Sequence, residues 1–122
     1  MCVVLIIEDD VETSEAIEAA LDSEGHECLV AYDGEDGLRQ LVEEVPRVVL
    51  LDLELPGIQG TDLLVEKAKL SAVATIPVIV ITAVTNPPIL DGTVGTLRKP
   101  FLLDDLLDMV AAAGGAPEAA AG

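Results

Sequence analysis

The sequence predicts a single doubly wound α/β domain built on a five-stranded parallel sheet. Five short apolar runs, rich in Val, Ile and Leu, have the length of strands that are buried on both faces. Segments in which apolar residues recur at helical spacing lie between most of these runs. This alternation favours right-handed crossovers with helices on both faces of the sheet. An apolar content of 51% in 122 residues suits one hydrophobic core.

The element boundaries follow from changes of pattern along the chain. Gly25 closes the first helix, and Pro46 stops the second because the residue before a proline avoids the helical conformation. We therefore predict strands at 2–7, 27–31, 47–51, 77–81 and 93–97, and helices at 11–24, 35–45, 60–70 and 102–112. The domain is assigned to 1–113, and 114–122 is expected to form a flexible Ala/Gly tail.

The connection between the fourth and fifth strands lacks the pattern of a full helix. It contains Asn86-Pro87-Pro88, and a proline inside a helix removes an amide donor and clashes with the preceding turn. At most one helical turn is expected after Pro88. The fourth helix of the domain is therefore predicted to be shortened or lost.

Charge and cysteine content exclude several classes of function. The formal net charge of −17 leaves no basic stripe for DNA or for an anionic membrane. The apolar runs are too short to cross a bilayer, and the N-terminus lacks the basic start of a signal peptide. Cys2 and Cys28 have no CxxC spacing and suit buried reduced thiols better than a disulfide. We expect a cytoplasmic protein.

Polar groups follow four of the predicted strands. They are Glu8-Asp9-Asp10, Asp52, Thr82 and Lys99, and Leu55-Pro56-Gly57 makes a tight turn shortly after Asp52. Each has a structural interpretation, since Asp9 with Glu12 forms a capping box, Thr82 can cap a helix and Lys99 can be solvated. The carboxyl ends of parallel strands share one edge of the sheet, however, where ligands bind. Carboxylates crowded there repel one another unless a proton or a cation neutralises them.

Carboxylates, a hydroxyl group and an ammonium group at one edge of the sheet suit covalent chemistry with phosphate. Oxygen-only ligands favour Mg²⁺, which keeps several waters and accepts phosphate oxygens. Lys99 offers a compact positive charge for a phosphoryl group, and the Thr82 hydroxyl offers a hydrogen bond. We interpret the edge as a site where a carboxylate oxygen of Asp52 attacks phosphorus and forms an acyl phosphate.

With these motifs the chain resembles the receiver domain of two-component response regulators over 3–110. The matching pieces are 7–10 (Ile-Glu-Asp-Asp), 49–60 (Val-Leu-Leu-Asp-Leu-Glu-Leu-Pro-Gly-Ile-Gln-Gly), 79–83 (Ile-Val-Ile-Thr-Ala) and 98–101 (Arg-Lys-Pro-Phe). The resemblance implies a flavodoxin-like fold with strand order 2-1-3-4-5. It also implies a phosphorylatable signalling domain and no enzyme, apart from catalysis of its own phosphorylation and dephosphorylation.

The resemblance assigns roles to individual residues. Asp52 becomes the phosphoacceptor, and Asp9 and Asp10 hold Mg²⁺ together with Asp52 and the backbone carbonyl of Glu54. Glu8 is then a neighbour of the metal and no ligand. Thr82 and Lys99 bind the phosphoryl group, and the Lys99–Pro100 peptide is expected to be cis. The implied partners are a sensor histidine kinase or phosphotransfer protein and an unknown downstream effector.

The chain departs from the family in the region that carries the output. Only 17 positions separate Thr82 from Lys99, several fewer than usual, and Thr96 replaces the usual aromatic switch residue. We expect phosphorylation to reorder 83–92 with little change at Thr96. Homodimerisation through the usual fourth-helix surface is expected to be weak or differently built.

Two other functions remain open at this point. Asp52-Leu53-Glu54 is a variant of the Asp-x-Asp motif of haloacid-dehalogenase phosphatases, and turnover of a small phosphomonoester would indicate such an enzyme. A pseudo-receiver, which binds proteins without being phosphorylated, is the other alternative, and a titration with Mg²⁺ would separate the two kinds of receiver.

Overall fold

The structure, a computed structural model, describes residues 3–114 and contains one five-stranded parallel sheet of order β2-β1-β3-β4-β5. The strands are β1 (Val3–Ile7), β2 (Glu27–Ala31), β3 (Val48–Asp52), β4 (Val78–Thr82) and β5 (Thr93–Arg98). The helices are α1 (Val11–Ser23), α2 (Gly34–Glu44), α3 (Gly60–Ala68) and α4 (Leu103–Ala112). The predicted fold class and strand order are confirmed.

The predicted boundaries lie close to those of the structure. Helix α2 begins at Gly34, one residue before the predicted start, and the Asp33 carboxylate caps it by accepting a hydrogen bond from the Asp36 amide at 2.7 Å. Cys2 and most of the expected tail, 115–122, lie outside the described residues.

Two helical layers bury the sheet from opposite sides. On one face, α1 and α4 pack against the sheet through Ile17, Leu21, Leu106 and Val110. On the other face, α2 and α3 pack through Leu41, Leu63 and Leu64. The apolar residues of β3 and β4 are buried without alternation because both faces of these strands are covered.

The crossover from β4 to β5 has no helix within the described chain, as the proline pair predicts. As a result, exposure alternates along β5. Gly95 faces α4, since a Cβ placed on it would meet the end of the Met109 side chain. Val94, Thr96 and Arg98 point to the opposite side, where they are exposed. One face of the edge strand therefore lacks a covering element.

None of the helices in the described part of the chain has the length and apolar character needed to cross a membrane.

The start of α3 is in close contact with the end of β3. The Gly60 amide donates a hydrogen bond to the Leu53 carbonyl at 3.2 Å. A Cβ on Gly60 would lie 2.7 Å from both the Asp52 carbonyl oxygen and the Leu53 Cα, which are backbone atoms that cannot rotate away. Glycine at this position therefore allows the helix to lie directly against the strand end that carries Asp52.

Replacement of this glycine should destabilise the fold. We expect Gly60→Ala to lower the free energy of unfolding by about 1–3 kcal/mol, because the added methyl group forces the two backbone segments apart. Urea denaturation followed by circular dichroism measures the change. Thr61→Ala, at the exposed next position, is the control and should change the stability by less than about 0.5 kcal/mol. Equal stability of Gly60→Ala and the wild type would contradict this packing.

Candidate functional site

The register of the sheet places two carboxylates at the same level on adjacent central strands. Ile7 of β1 pairs with Leu51 of β3, so the next residues along the two strands are Glu8 and Asp52. Glu8 continues the ladder beyond β1, since its amide donates to the Ala31 carbonyl at 3.0 Å. The side chains of Glu8 and Asp52 are buried at this edge. Their positions follow from the point at which each apolar run ends.

A compact acidic group forms where these strands end. Glu8, Asp9 and Asp52 each offer one carboxylate oxygen, and the three atoms lie within 4.8 Å of one another. Glu8 and Asp52 are buried, whereas Asp9 is exposed at the mouth of the site. Hard oxygen ligands that converge in this way suit a divalent cation such as Mg²⁺.

Lys99 lies between the two buried carboxylates. Its Nζ donates to Oδ2 of Asp52 at 3.0 Å and to Oε1 of Glu8. Lys99 follows the last strand directly, and its backbone amide donates to the Thr82 carbonyl at 2.7 Å. The Lys99–Pro100 peptide bond is cis, as expected. The ammonium group is thus anchored at the strand end and held against the acidic group.

The pKa values of Glu8 and Lys99 both lie above their ordinary values. Burial raises the pKa of Glu8 to about 7, a hydrogen bond with Asp52 adds to the shift, and Lys99 opposes it. Burial by itself would lower the pKa of Lys99. The hydrogen bonds and negative charges of Glu8 and Asp52 outweigh burial and hold the Lys99 pKa above its ordinary value. Within the described chain, Lys99 is therefore the cation that offsets part of the negative charge of the site.

The structure does not bring Asp10 into the acidic group, contrary to the sequence-based assignment. Asp10 is the N-cap residue of α1, and its carboxylate accepts a hydrogen bond from the Thr13 hydroxyl. This hydrogen bond is the main reason that the pKa of Asp10 is lowered. Its amide donates to Oε2 of Glu8 at 3.3 Å. Because the chain has already left the sheet at Asp10, the carboxylates that converge are those of Glu8, Asp9 and Asp52, whereas the sequence had predicted Asp10 as a ligand and Glu8 as a neighbour.

Two further predicted residues lie next to the acidic group. The Glu54 amide donates to Oδ1 of Asp52 at 2.9 Å, while the Glu54 side chain is exposed. Thr82 ends β4 one residue beyond Ile81, which is paired with Asp52, and its side chain is buried. The Thr82 hydroxyl oxygen accepts from the Val84 amide at 3.1 Å. Asp52, Thr82 and Lys99 thus occupy the ends of three consecutive strands on one edge.

Comparisons with known proteins agree with this geometry. The family model of the response regulator receiver domain matches residues 4–111. The transcriptional regulatory protein KdpE of Mycobacterium tuberculosis is 36% identical over 118 residues, which are 93% of this chain and 51% of KdpE. AfsQ1 of Streptomyces coelicolor is 38% identical over 79 residues, covering 65% of this chain and 34% of AfsQ1.

A solved structure supports the same assignment. A putative response regulator of Chloroflexus aurantiacus has a TM-score of 0.83 at 28% identity, with 92% of this chain and 96% of that chain covered. The chain spans about half of the length of KdpE and a third of that of AfsQ1. The matched region includes all five strands apart from Val3, the first residue of β1. The chain belongs to the response regulator receiver domain family.

Proposed function

We propose that this receiver domain accepts a phosphoryl group on Asp52 from a histidine kinase or a phosphotransfer protein in the cytoplasm. The observation that carries the proposal is the contact of Lys99 Nζ with the buried Asp52 Oδ2 at 3.0 Å, within the acidic group. Receiver domains are signalling domains, and the reaction of this one would consist of its own phosphorylation and dephosphorylation. A downstream effector, within the same protein or separate from it, would sense the result.

The chemical step is a transfer between two residues. One carboxylate oxygen of Asp52 attacks the phosphorus of a phosphohistidine, a P–O bond forms and the P–N bond breaks. The imidazole nitrogen keeps the electron pair of the broken bond and takes up a proton. Asp52 then carries an acyl phosphate, and the negative charge on its oxygens needs nearby donors. Lys99 and the Thr82 hydroxyl are the groups of this chain that we expect to supply them.

The acidic group fits Mg²⁺, because its three carboxylate oxygens converge and two of the three side chains are buried. We propose that Glu8, Asp9 and Asp52 hold the ion with the backbone carbonyl of Glu54, and that Asp10 stays a helix cap. The bound ion would offset the negative charge that the carboxylates and the incoming phosphoryl group bring together. Lys99 would then leave the carboxylates and contact the phosphoryl oxygens.

Phosphorylation at a single residue is the first consequence of this proposal. After incubation with acetyl phosphate and Mg²⁺, we expect the mass of the intact protein to rise by one phosphoryl group. Asp52→Asn should show no such increase, because an amide oxygen does not form the acyl phosphate. Asp10→Asn, an exposed aspartate outside the acidic group, is the matched control and should still be phosphorylated. Label on another residue of the wild type would refute the assignment, and steady turnover of a phosphomonoester would indicate a phosphatase instead.

The affinity for Mg²⁺ distinguishes the carboxylates that converge in the structure, which include Glu8, from the set predicted from the sequence, which includes Asp10. We expect Asp9→Ala to weaken Mg²⁺ binding at least about tenfold in calorimetric titrations, because it removes the exposed member of the group. Asp10→Ala should bind Mg²⁺ within about twofold of the wild type, since the Asp10 carboxylate is engaged by Thr13. A loss in Asp10→Ala that matches the loss in Asp9→Ala would restore the original assignment. Failure of the wild type to bind Mg²⁺ would favour a pseudo-receiver.

A further inference from the structure

A groove lies beside α3, at the place where the β4–β5 crossover has no helix. It has a volume of about 570 Å³. One wall is α3 from Thr61 onward, with Lys69 and Ala74 beyond it, and the other is formed by residues 90–92, which include Asp91. The lining is mainly apolar, through Leu64, Val65, Ala68 and Leu90. The groove is on the same face of the sheet as α2 and α3, away from α1 and α4. It is separate from the acidic group, with which it shares no residue.

The apolar surface around this groove lacks a cover in the described chain. Val65, on the α3 wall, is 55% exposed, and Ile89, next to the lining residue Leu90, is completely exposed. Parallel sheets normally have helices over both faces, because their strands are apolar on both sides. In this chain, the connection that would supply the missing helix is too short and contains two prolines. The fold thus leaves an apolar groove open between α3 and residues 90–92, the segment that leads into β5.

Lys67 indicates what kind of group fills this space. Its side chain lines the groove and is only 2% exposed. The Nζ donates to the Ala74 carbonyl at 2.9 Å, the one hydrogen bond that it makes to residues 3–114. An ammonium group has three donors, and no carboxylate of the described residues forms an ion pair with this one. Burial lowers the pKa of Lys67, with no neighbouring charge to oppose the shift.

The neighbouring lysine shows that this arrangement is specific to Lys67. Lys69 also lines the groove, but its side chain is 65% exposed and its Nζ pairs with Glu66 at 3.3 Å. Solvent and a carboxylate therefore already compensate the charge of Lys69. A buried cation without a counter-ion is costly, and a carboxylate brought by a ligand would remove that cost.

We propose that the groove binds an amphipathic helix of a partner protein, which places an apolar ridge against α3 and residues 90–92 and a Glu or Asp carboxylate on Lys67. Helices bind to apolar grooves through side chains spaced i, i+3, i+4 and i+7, and this spacing suits a surface from which one helix is missing. A second copy of this chain is a poorer occupant, because two chains of net charge −17 repel each other. The docking does not depend on Asp52 and goes beyond the proposed phosphorylation.

A pair of peptides tests the proposal on the whole chain. Both are capped helices of about five turns, with leucines along one ridge and glutamines on the outer face. One carries a single Glu beside the ridge and the other carries Gln at the same position. We expect the wild type to bind the Glu peptide about tenfold more tightly than the Gln peptide, because a charge-assisted hydrogen bond forms with Lys67. Amide chemical shifts should change at Leu64, Ala68 and Leu90.

Variants of the two lysines then show which of them causes the preference for the Glu peptide over the Gln peptide. Lys67→Met should bind both peptides with the same affinity within about twofold, whereas Lys69→Met should keep the tenfold preference. Val65→Glu, an exposed change on the groove wall, should weaken the Glu peptide more than the Gln peptide and provides a test if Lys67→Met does not fold. The proposal is wrong if the wild type binds neither peptide, binds both equally, or keeps its preference in Lys67→Met. Sedimentation showing a dimer that Val65→Glu dissociates would instead identify a second copy as the occupant.

Discussion

The buried ion pairs of Lys99 with Glu8 and Asp52 are the interaction on which the functional edge of this domain depends. Two carboxylates at the same level on adjacent strands would repel each other strongly in a buried site. One ammonium group that contacts both makes their proximity tolerable. Because burial also penalises isolated charges, loss of any partner is expected to cost more than loss of a surface ion pair. The same cation would be available to phosphoryl oxygens once a metal ion shares the carboxylates.

The rest of the fold serves to hold these three groups in one place. The parallel register of β1 and β3 sets Glu8 level with Asp52, and Gly60 allows α3 to begin against the end of β3. The amide of Lys99 is bonded to the end of β4. These constraints are made by backbone atoms, so the site is positioned before any ligand arrives. Beyond Thr82 the chain lacks this kind of support, because 83–92 connects two strands without a helix of its own.

Most of the fold could be predicted because its strands are uniformly apolar and its polar residues mark the strand ends. Asp52 and Lys99 were found in this way. The choice of Asp10 over Glu8 from the sequence has a definite cause: three consecutive acids follow β1, and a shift of one residue exchanges the buried and exposed positions. Alignment of the first carboxylate after each apolar run would have selected Glu8. Lys67 gave no signal in the sequence, since a lysine on α3 looks solvated until the packing around Ala74 is known.

A double-mutant cycle on Lys99 and Glu8 tests the central interaction most directly. Free energies of unfolding would be measured without Mg²⁺ at about pH 8, where Glu8 is mostly ionised because its pKa is about 7. Lys99→Met should be strongly destabilising in the wild type, since it leaves two buried carboxylates without a cation. In the Glu8→Gln background the same change should cost at least about 1 kcal/mol less. Costs that are equal within about 0.3 kcal/mol would show that Lys99 does not hold the acidic group together.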